Sequence, residues 1–225
     1  MRNNYAYDDG LFHVTEIFDS IDGEGKRTGL MAIFVRFAGC NLRCTYCDTA
    51  YALKRSDALE VLTGEELLER IHQYPWKRIT FTGGEPMLQN LLPLCQILSD
   101  EGYDINIETN GAVPLFAHRP EHVFYTMDYK CTDSGMKDHM LLSNFAQLDE
   151  RDVLKFVVSS EQDLNDMRQI VTRWKGKQPA FYVSPVWGKI TPAELVEYVR
   201  KYELSSVCVQ VQLHKIIWGA ERRGV

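Results

Sequence analysis

The 225-residue chain has no apolar run approaching the roughly 20 residues needed to cross a bilayer, so no transmembrane segment is expected. It has no run of basic residues longer than a pair such as Arg222-Arg223, and its formal net charge is -6; direct binding of DNA or RNA is therefore disfavoured. The start MRNNYAYDDG lacks the apolar core of a signal peptide, which predicts a cytoplasmic protein. There is no repeat, no low-complexity tract and no Pro/Gly/Ser linker, so a single domain spanning 1–225 is expected. A disulfide framework is equally absent: three of the six cysteines fall within eight residues, a crowding that in a reducing compartment points to metal or redox chemistry. Cys95 and Cys208, flanked by apolar neighbours, read as small core residues.

What is present is an alternation of strand and helix. Apolar runs of strand length lie at 32–37, 79–82, 105–109, 123–127, 153–158, 180–184 and 207–213. Helix starts are readable at Thr63 with Glu66, a capping-box pattern, at Ser160 ahead of Glu161 and Asp163, and at Thr191-Pro192 with Glu194. Near-continuous apolar strands alternating with amphipathic helices predict an α/β fold, a mostly parallel sheet with helices outside, closed partly or wholly into a barrel. The stretch 130–151 fits no such unit and reads as a long excursion.

In parallel barrels chemistry gathers at the C-terminal ends of the strands, and polar groups follow one strand after another here. They are GCNLRCTYCDT (39–49), TGGEP (82–86), ETNG (108–111), MDYK (127–130), SPVWG (184–188) and QLHK (212–215). The spacing Cys40-x3-Cys44-x2-Cys47 puts three thiolates on one loop, a reach suited to three corners of a 4Fe-4S cubane with one iron left open. Structural zinc is the competing reading, but it needs a fourth ligand from elsewhere in the chain. Gly83 and Gly84 allow close approach of backbone to a ligand, and the Glu85 carboxylate suits an ammonium group. Gln212 and His214, two apart on a strand, share one face.

Cys40, Cys44 and Cys47 with the Gly83-Gly84-Glu85-Pro86 run resemble the radical S-adenosylmethionine superfamily. The order IFDSIDGEG, FVRFAGCNLRCTYCDT, TGGEP, IETNG and QLHK is similar, more closely, to the 7-carboxy-7-deazaguanine synthase family of queuosine and deazapurine biosynthesis. That resemblance implies a partial (βα)6-type barrel with modified N- and C-terminal segments that bind substrate. It implies a lyase that contracts 6-carboxy-5,6,7,8-tetrahydropterin with loss of ammonia, through a 5′-deoxyadenosyl radical. It also implies a 4Fe-4S cluster, S-adenosylmethionine and Mg2+ as cofactors, a flavodoxin- or ferredoxin-type electron donor, and a homodimer.

By position, the resemblance implies pterin contacts from Ile21, Asp22, Gly23, Glu24, Arg36, Thr82, Gln212 and His214, and a Mg2+ ligand at Thr49. It implies S-adenosylmethionine contacts from Tyr46, Gly83, Gly84, Glu85, Glu108, Asp128, Tyr129, Lys130 and Ser184. Asp128-Tyr129-Lys130 departs from the Ser-Pro-Lys run of many members, keeping only the lysine. The tail 216–225 is short enough for its carboxylate to fold back over the site, which is the expectation for it. The rivals are a glycyl-radical-enzyme activase of the same superfamily and a non-catalytic, zinc-stabilised binding domain.

Overall fold

The computed structural model describes residue 7 and residues 9–225; most of the polar start from which a cytoplasmic location is expected lies outside the described residues. One sheet of nine strands organises them: β1 (Phe12–Ile21), β2 (Met31–Phe37), β3 (Glu60–Leu62), β4 (Arg78–Gly83), β5 (Asp104–Thr109), β6 (Val123–Tyr129), β7 (Val153–Val158), β8 (Ala180–Pro185) and β9 (Val207–Val209). Their order is β3-β1-β2-β4-β5-β6-β7-β8-β9, parallel from β2 to β9, with β1 antiparallel to both β2 and β3. The parallel strands are those expected from the apolar runs. β1 and β3 are additions: β1 carries polar side chains on much of its length and shifts register between Val14 and Glu16, which hides its period.

Five helices accompany the sheet: α1 (Gly64–His72), α2 (Leu91–Asp100), α3 (Glu161–Arg173), α4 (Pro192–Lys201) and α5 (Leu213–Trp218). At α1, α3 and α4 the expected caps are made, Thr63, Ser160 and Thr191 each accepting a hydrogen bond from the backbone N–H three residues on. α2 announces itself less clearly because Asn90 makes no side-chain cap. Its Pro93 sits in the first turn, where a missing N–H costs little.

The sheet has two chemically opposite faces. Ile33, Val35, Phe37, Ile79, Phe81, Ile105, Ile107, Leu154, Phe156 and Val183 are buried beneath helix residues such as Leu67, Ile71, Leu98, Met167 and Leu195. The parallel register aligns the intervening residues on the concave side: Arg36 beside Thr82, Thr80 beside Asn106, Glu108 beside Thr126, Asp128 beside Lys155 and Val157 beside Ser184. The curved sheet thus wraps its polar rows around a lumen and faces its apolar rows outward against helices.

The two ends of the sheet do not pair with each other. Residues 210–223 run up that seam instead. The Gln210 amide accepts from Gly25 N (2.8 Å) and donates to Gly25 O (3.1 Å), and Leu213 N donates to Gly23 O (3.1 Å). Lys215 Nζ then reaches Asp48 (3.3 Å), and the Arg223 guanidinium lies 3.9 Å from the Tyr51 ring centre. The expected strand at 207–213 therefore stops at Val209, because the chain leaves the sheet to bond the 23–25 loop. Cys208 is likewise not a core residue: β9 is an edge strand, and Cys208, in register with Tyr182, is exposed.

Candidate active site

The floor of the lumen is the loop 22–30. Its anchor is Arg27, whose guanidinium donates to Asp22 (2.8 Å), to the carbonyls of Asp104 (2.8 Å) and Ile79 (3.1 Å), and to the Thr80 hydroxyl (2.6 Å). These partners lie at the N-terminal ends of β4 and β5, so the loop closes that end of the barrel. Asp22 is consumed in this work: one oxygen takes Arg27 and the other the Thr80 hydroxyl (2.9 Å). Its expected contact with substrate through the carboxylate is not available in this arrangement. At Gly23 a Cβ would fall on the His214 imidazole, so glycine is needed for the tail to dock.

Glu24 instead points into the lumen. Its Oε2 is 3.4 Å from Lys155 Nζ and 3.2 Å from Gln212 Nε2, while Oε1 is buried without a partner. Lys155 Nζ also lies 3.3 Å from Asp128 Oδ1, and Lys130 Nζ 3.1 Å from Asp128 Oδ2. Burial opposes charge on Asp128, but Lys130 and Lys155 outweigh it and hold the carboxyl below its ordinary range. Burial likewise works against the Lys155 ammonium, yet Asp128, Glu24 and Glu108 raise its pKa well above normal. Glu108 is pushed up by burial, with Lys155 and Thr82 working against the shift. The result is a lumen of fixed charges in which Glu24 Oε1, Gln212 Oε1 and Ser184 Oγ remain buried and unsatisfied, the condition expected of groups that meet a ligand.

The roof is the cysteine loop after β2. Cys40, Cys44 and Cys47 are free thiols, each partly exposed. Asn110 Nδ2 lies 3.7 Å from Cys40 Sγ and donates to Asn41 Oδ1 (2.9 Å). Tyr46, between the second and third cysteines, donates its hydroxyl to Val157 O (3.1 Å) and spans to the end of β7. Thr49 makes no side-chain helix cap and bonds Asp48 Oδ1 (3.1 Å), leaving its oxygen lone pairs beside a carboxylate. Burial favours the neutral form of Asp48, but Lys215 and Thr49 prevail and lower its pKa.

Three expectations need correction. A Cβ at Gly83 would fall on the backbone of Phe37, and one at Gly84 on the carbonyl of Gly39. The close approach these glycines permit is thus to the end of β2 and the start of the cysteine loop, where Gly84 N donates to Phe37 O (2.9 Å) and Glu85 N to Gly39 O (2.8 Å). Glu85 is fully buried and is not free for an ammonium. It accepts from Met87 N (2.9 Å), the Thr109 hydroxyl (2.8 Å) and Asn110 N (2.7 Å), tying the turn after β4 to the turn after β5. Tyr129 alternates to the outer face, where it packs against Phe156 and Phe145 at ring separations of 5.4 and 6.1 Å, away from Asp128 and Lys130.

Gln212 and His214 do reach the site, as the first residues of α5 and its cap rather than as a strand pair. Ile21 ends β1 two residues before Gly23, whose carbonyl accepts from Leu213 N, and Ser184 and Thr82 lie on the concave rows. Arg36 sits 3.5 Å from Glu16 Oε2 with its guanidinium 5.9 Å from the Tyr51 ring centre, and its Nε is otherwise unsatisfied. The residue that sequence reasoning misses is Lys155. Its signal was a lone lysine inside the apolar run VLKFVV, where a charge must face something other than the core. A cleft of about 770 Å³ between α3 and α4 carries none of the expected site residues.

Residues 34–133 match the radical SAM superfamily, whose members use a 4Fe-4S cluster and S-adenosylmethionine. The chain is 43% identical over 219 residues to the 7-carboxy-7-deazaguanine synthase of Clostridium acetobutylicum, covering 95% of this chain and 99% of that one. The chain belongs to the 7-carboxy-7-deazaguanine synthase family. The enzymes of that name from Koribacter versatilis (34% identical; 94% and 99% covered) and Thermoplasma acidophilum (33%; 92% and 97%) extend this family across distant organisms. The fold is that of QueE from Escherichia coli, with a TM-score of 0.74 at 22% identity over 95% of this chain and 99% of that chain. The residues here fit the family's cofactors: three unpaired thiols on one loop, facing a lumen with unsatisfied buried acceptors. Among the described residues no helix is long and apolar enough to cross a membrane.

Proposed function

We propose that this protein converts 6-carboxy-5,6,7,8-tetrahydropterin to 7-carboxy-7-deazaguanine, releasing ammonia. The observation that carries the reading is the closed polar lumen beneath the three-cysteine loop, with Glu24 Oε1, Gln212 Oε1 and Ser184 Oγ buried and unpaired. Cys40, Cys44 and Cys47 hold the cluster, which when bound supplies the electron that cleaves S-adenosylmethionine to methionine and the 5′-deoxyadenosyl radical.

The remaining work falls to the chain itself. Glu24, oriented by Lys155 and Gln212, accepts from the amino and ring N–H donors of the pterin. Arg36, beside Thr82 at the rim, pairs with the substrate carboxylate. Glu108, Asp128, Lys130 and Ser184 contact the nucleoside from the strand ends, with Tyr46 near its base. Asp22 and Gly23 act by shaping the floor, and Gly83, Gly84 and Glu85 by fixing the roof. Thr49, with Asp48 adjacent, would offer an oxygen to Mg2+, which would help hold the substrate in place. The tail from Gln210 to Arg223 seals the seam and keeps water out.

A single domain whose two terminal segments bind substrate, a homodimer, a flavodoxin- or ferredoxin-type donor and a cytoplasmic location complete the proposal. The floor loop argues against an activase, since a lumen plugged by Arg27 and Glu24 suits a small ring better than a polypeptide. Anaerobic incubation with the pterin, S-adenosylmethionine, Mg2+ and a reductant is expected to yield the carboxy-deazaguanine by mass spectrometry. A loaded enzyme that cleaves S-adenosylmethionine but never forms that product would overturn the substrate assignment.

A further inference from the structure

Behind the cysteine loop, on the outer side of the sheet, Cys131, Asp163 and Asp166 bring a thiol and two carboxylates within 4.8 Å of one another, all buried. The grouping has the composition of a metal site, yet both carboxylates are already saturated by protein donors. Asp163 Oδ1 accepts from Asp133 N (2.9 Å) and its Oδ2 from Ser159 N (2.9 Å), while the Ser159 hydroxyl lies between that oxygen (3.0 Å) and Asp133 Oδ2 (2.8 Å). Asp166 Oδ2 accepts from Thr132 N (2.9 Å) and the Thr132 hydroxyl (2.7 Å), and its Oδ1 from Lys137 Nζ (2.6 Å). Two carboxylates from α3 therefore clamp the turn 132–137.

That turn in turn grips the cysteine loop. Thr45, directly after Cys44, donates its N–H to Ser134 O (3.1 Å) and its hydroxyl to Asp133 O (2.6 Å). Arg43 N, directly before Cys44, lies 3.4 Å from Met136 Sδ. The residues on either side of the middle cysteine are thus held from a segment built only of short 3-10 turns, Thr132–Ser134 and Lys137–His139. We propose that Asp163 and Asp166 are positioning residues for the iron-sulfur cluster: through the 132–137 turn and Thr45 they fix the spacing of Cys44 from the other two thiols. The role rests on Cys40, Cys44 and Cys47 being the cluster ligands. It explains why the excursion after β6 has short 3-10 turns in place of a crossover α-helix: its first residues serve as the back wall of the cysteine loop.

The test is iron release from reconstituted enzyme to a chelator under anaerobic conditions, followed optically, with the electron paramagnetic resonance spectrum of the reduced cluster recorded in parallel. Asp166→Asn and Asp163→Asn set an amide N–H2 against existing donors and are expected to release iron about tenfold faster, the scale of a lost charged hydrogen bond, with an altered spectrum. Thr45→Val, at an exposed position, removes only the hydroxyl bond and is expected to release iron about threefold faster even if the aspartate variants fail to fold. Asp152→Asn is the control. That carboxylate is equally buried and accepts from Tyr125 N and Asp149 N (both 2.9 Å), but it precedes β7 at the opposite end of the barrel. Release from Asp152→Asn as fast as from Asp166→Asn, or unchanged rates in all three test variants, would overturn the positioning role alone. Wild type that takes up no iron would overturn the cluster assignment and this role with it.

Discussion

Glu85 ties two turns together at the base of the cysteine loop, and its environment makes the strength of that tie depend on pH. The carboxyl is fully buried, and burial pushes its pKa up from 4.5 to about 7 even though Asn110 N, Met87 N and the Thr109 hydroxyl all donate to it. A group whose folded pKa exceeds its unfolded pKa holds its proton more tightly in the folded chain. Its contribution to stability is therefore complete below about pH 4.5 and is lost as pH rises through 7. At 1.36 kcal/mol per pKa unit, the loss across that interval is about 3 kcal/mol. Glu85→Gln cannot titrate, but its amide sets an N–H2 against existing donors, at a cost of about 1–3 kcal/mol at any pH. Urea unfolding of the metal-free wild type and variant between pH 5 and 8 isolates the effect, because every other titration is common to both. The stability advantage of wild type over Glu85→Gln is expected to shrink by about 3 kcal/mol across the range. An advantage that stays constant, or grows with pH, would show instead that the three donors outweigh burial and that Glu85 is not raised.

Lys155→Met leaves Glu24 without its cation and Asp128 with only Lys130; it is expected to destabilise the fold by about 3 kcal/mol, measured by urea unfolding, and to raise the KM for the pterin more than it lowers kcat. Gly84→Ala drives a methyl into the carbonyls of Gly39 and Ala52; a stability loss of roughly 1–3 kcal/mol and substoichiometric iron after reconstitution are expected by unfolding and iron analysis. Thr49→Val removes the proposed Mg2+ oxygen; the Mg2+ concentration for half-maximal product formation is expected to rise on the order of tenfold, while cleavage of S-adenosylmethionine without pterin stays at the wild-type rate.

The parallel half of the fold was legible because its strands bury their outer face under helices, and the apolar runs record that burial directly. β1 escaped because its residues alternate between core, lumen and solvent across a register shift, so no single period survives. The positions of the cysteines and of Glu108, Lys130 and Ser184 at strand ends followed from motif order, since a parallel sheet sends every such end to one rim. What the residues do there was less visible. Glu85 and Asp22 look like ligand carboxylates in sequence, and only the fold shows their oxygens filled by Asn110, Met87, Thr109, Arg27 and Thr80. Tyr129 failed for the simplest reason, the period of two along a strand. Lys155 was readable in principle, as a charge inside an apolar strand.

Everything proposed for this lumen rests on a 4Fe-4S cluster held by the 40–47 loop and open to S-adenosylmethionine. Anaerobic iron and sulfide analysis with electron paramagnetic resonance, before and after adding the nucleoside, on wild type and Cys44→Ala, tests it most directly. About four irons and four sulfides per chain are expected, with a spectrum that changes on adding S-adenosylmethionine and loss of both in Cys44→Ala. Zinc without sulfide, or a cluster whose spectrum ignores the nucleoside, would contradict it.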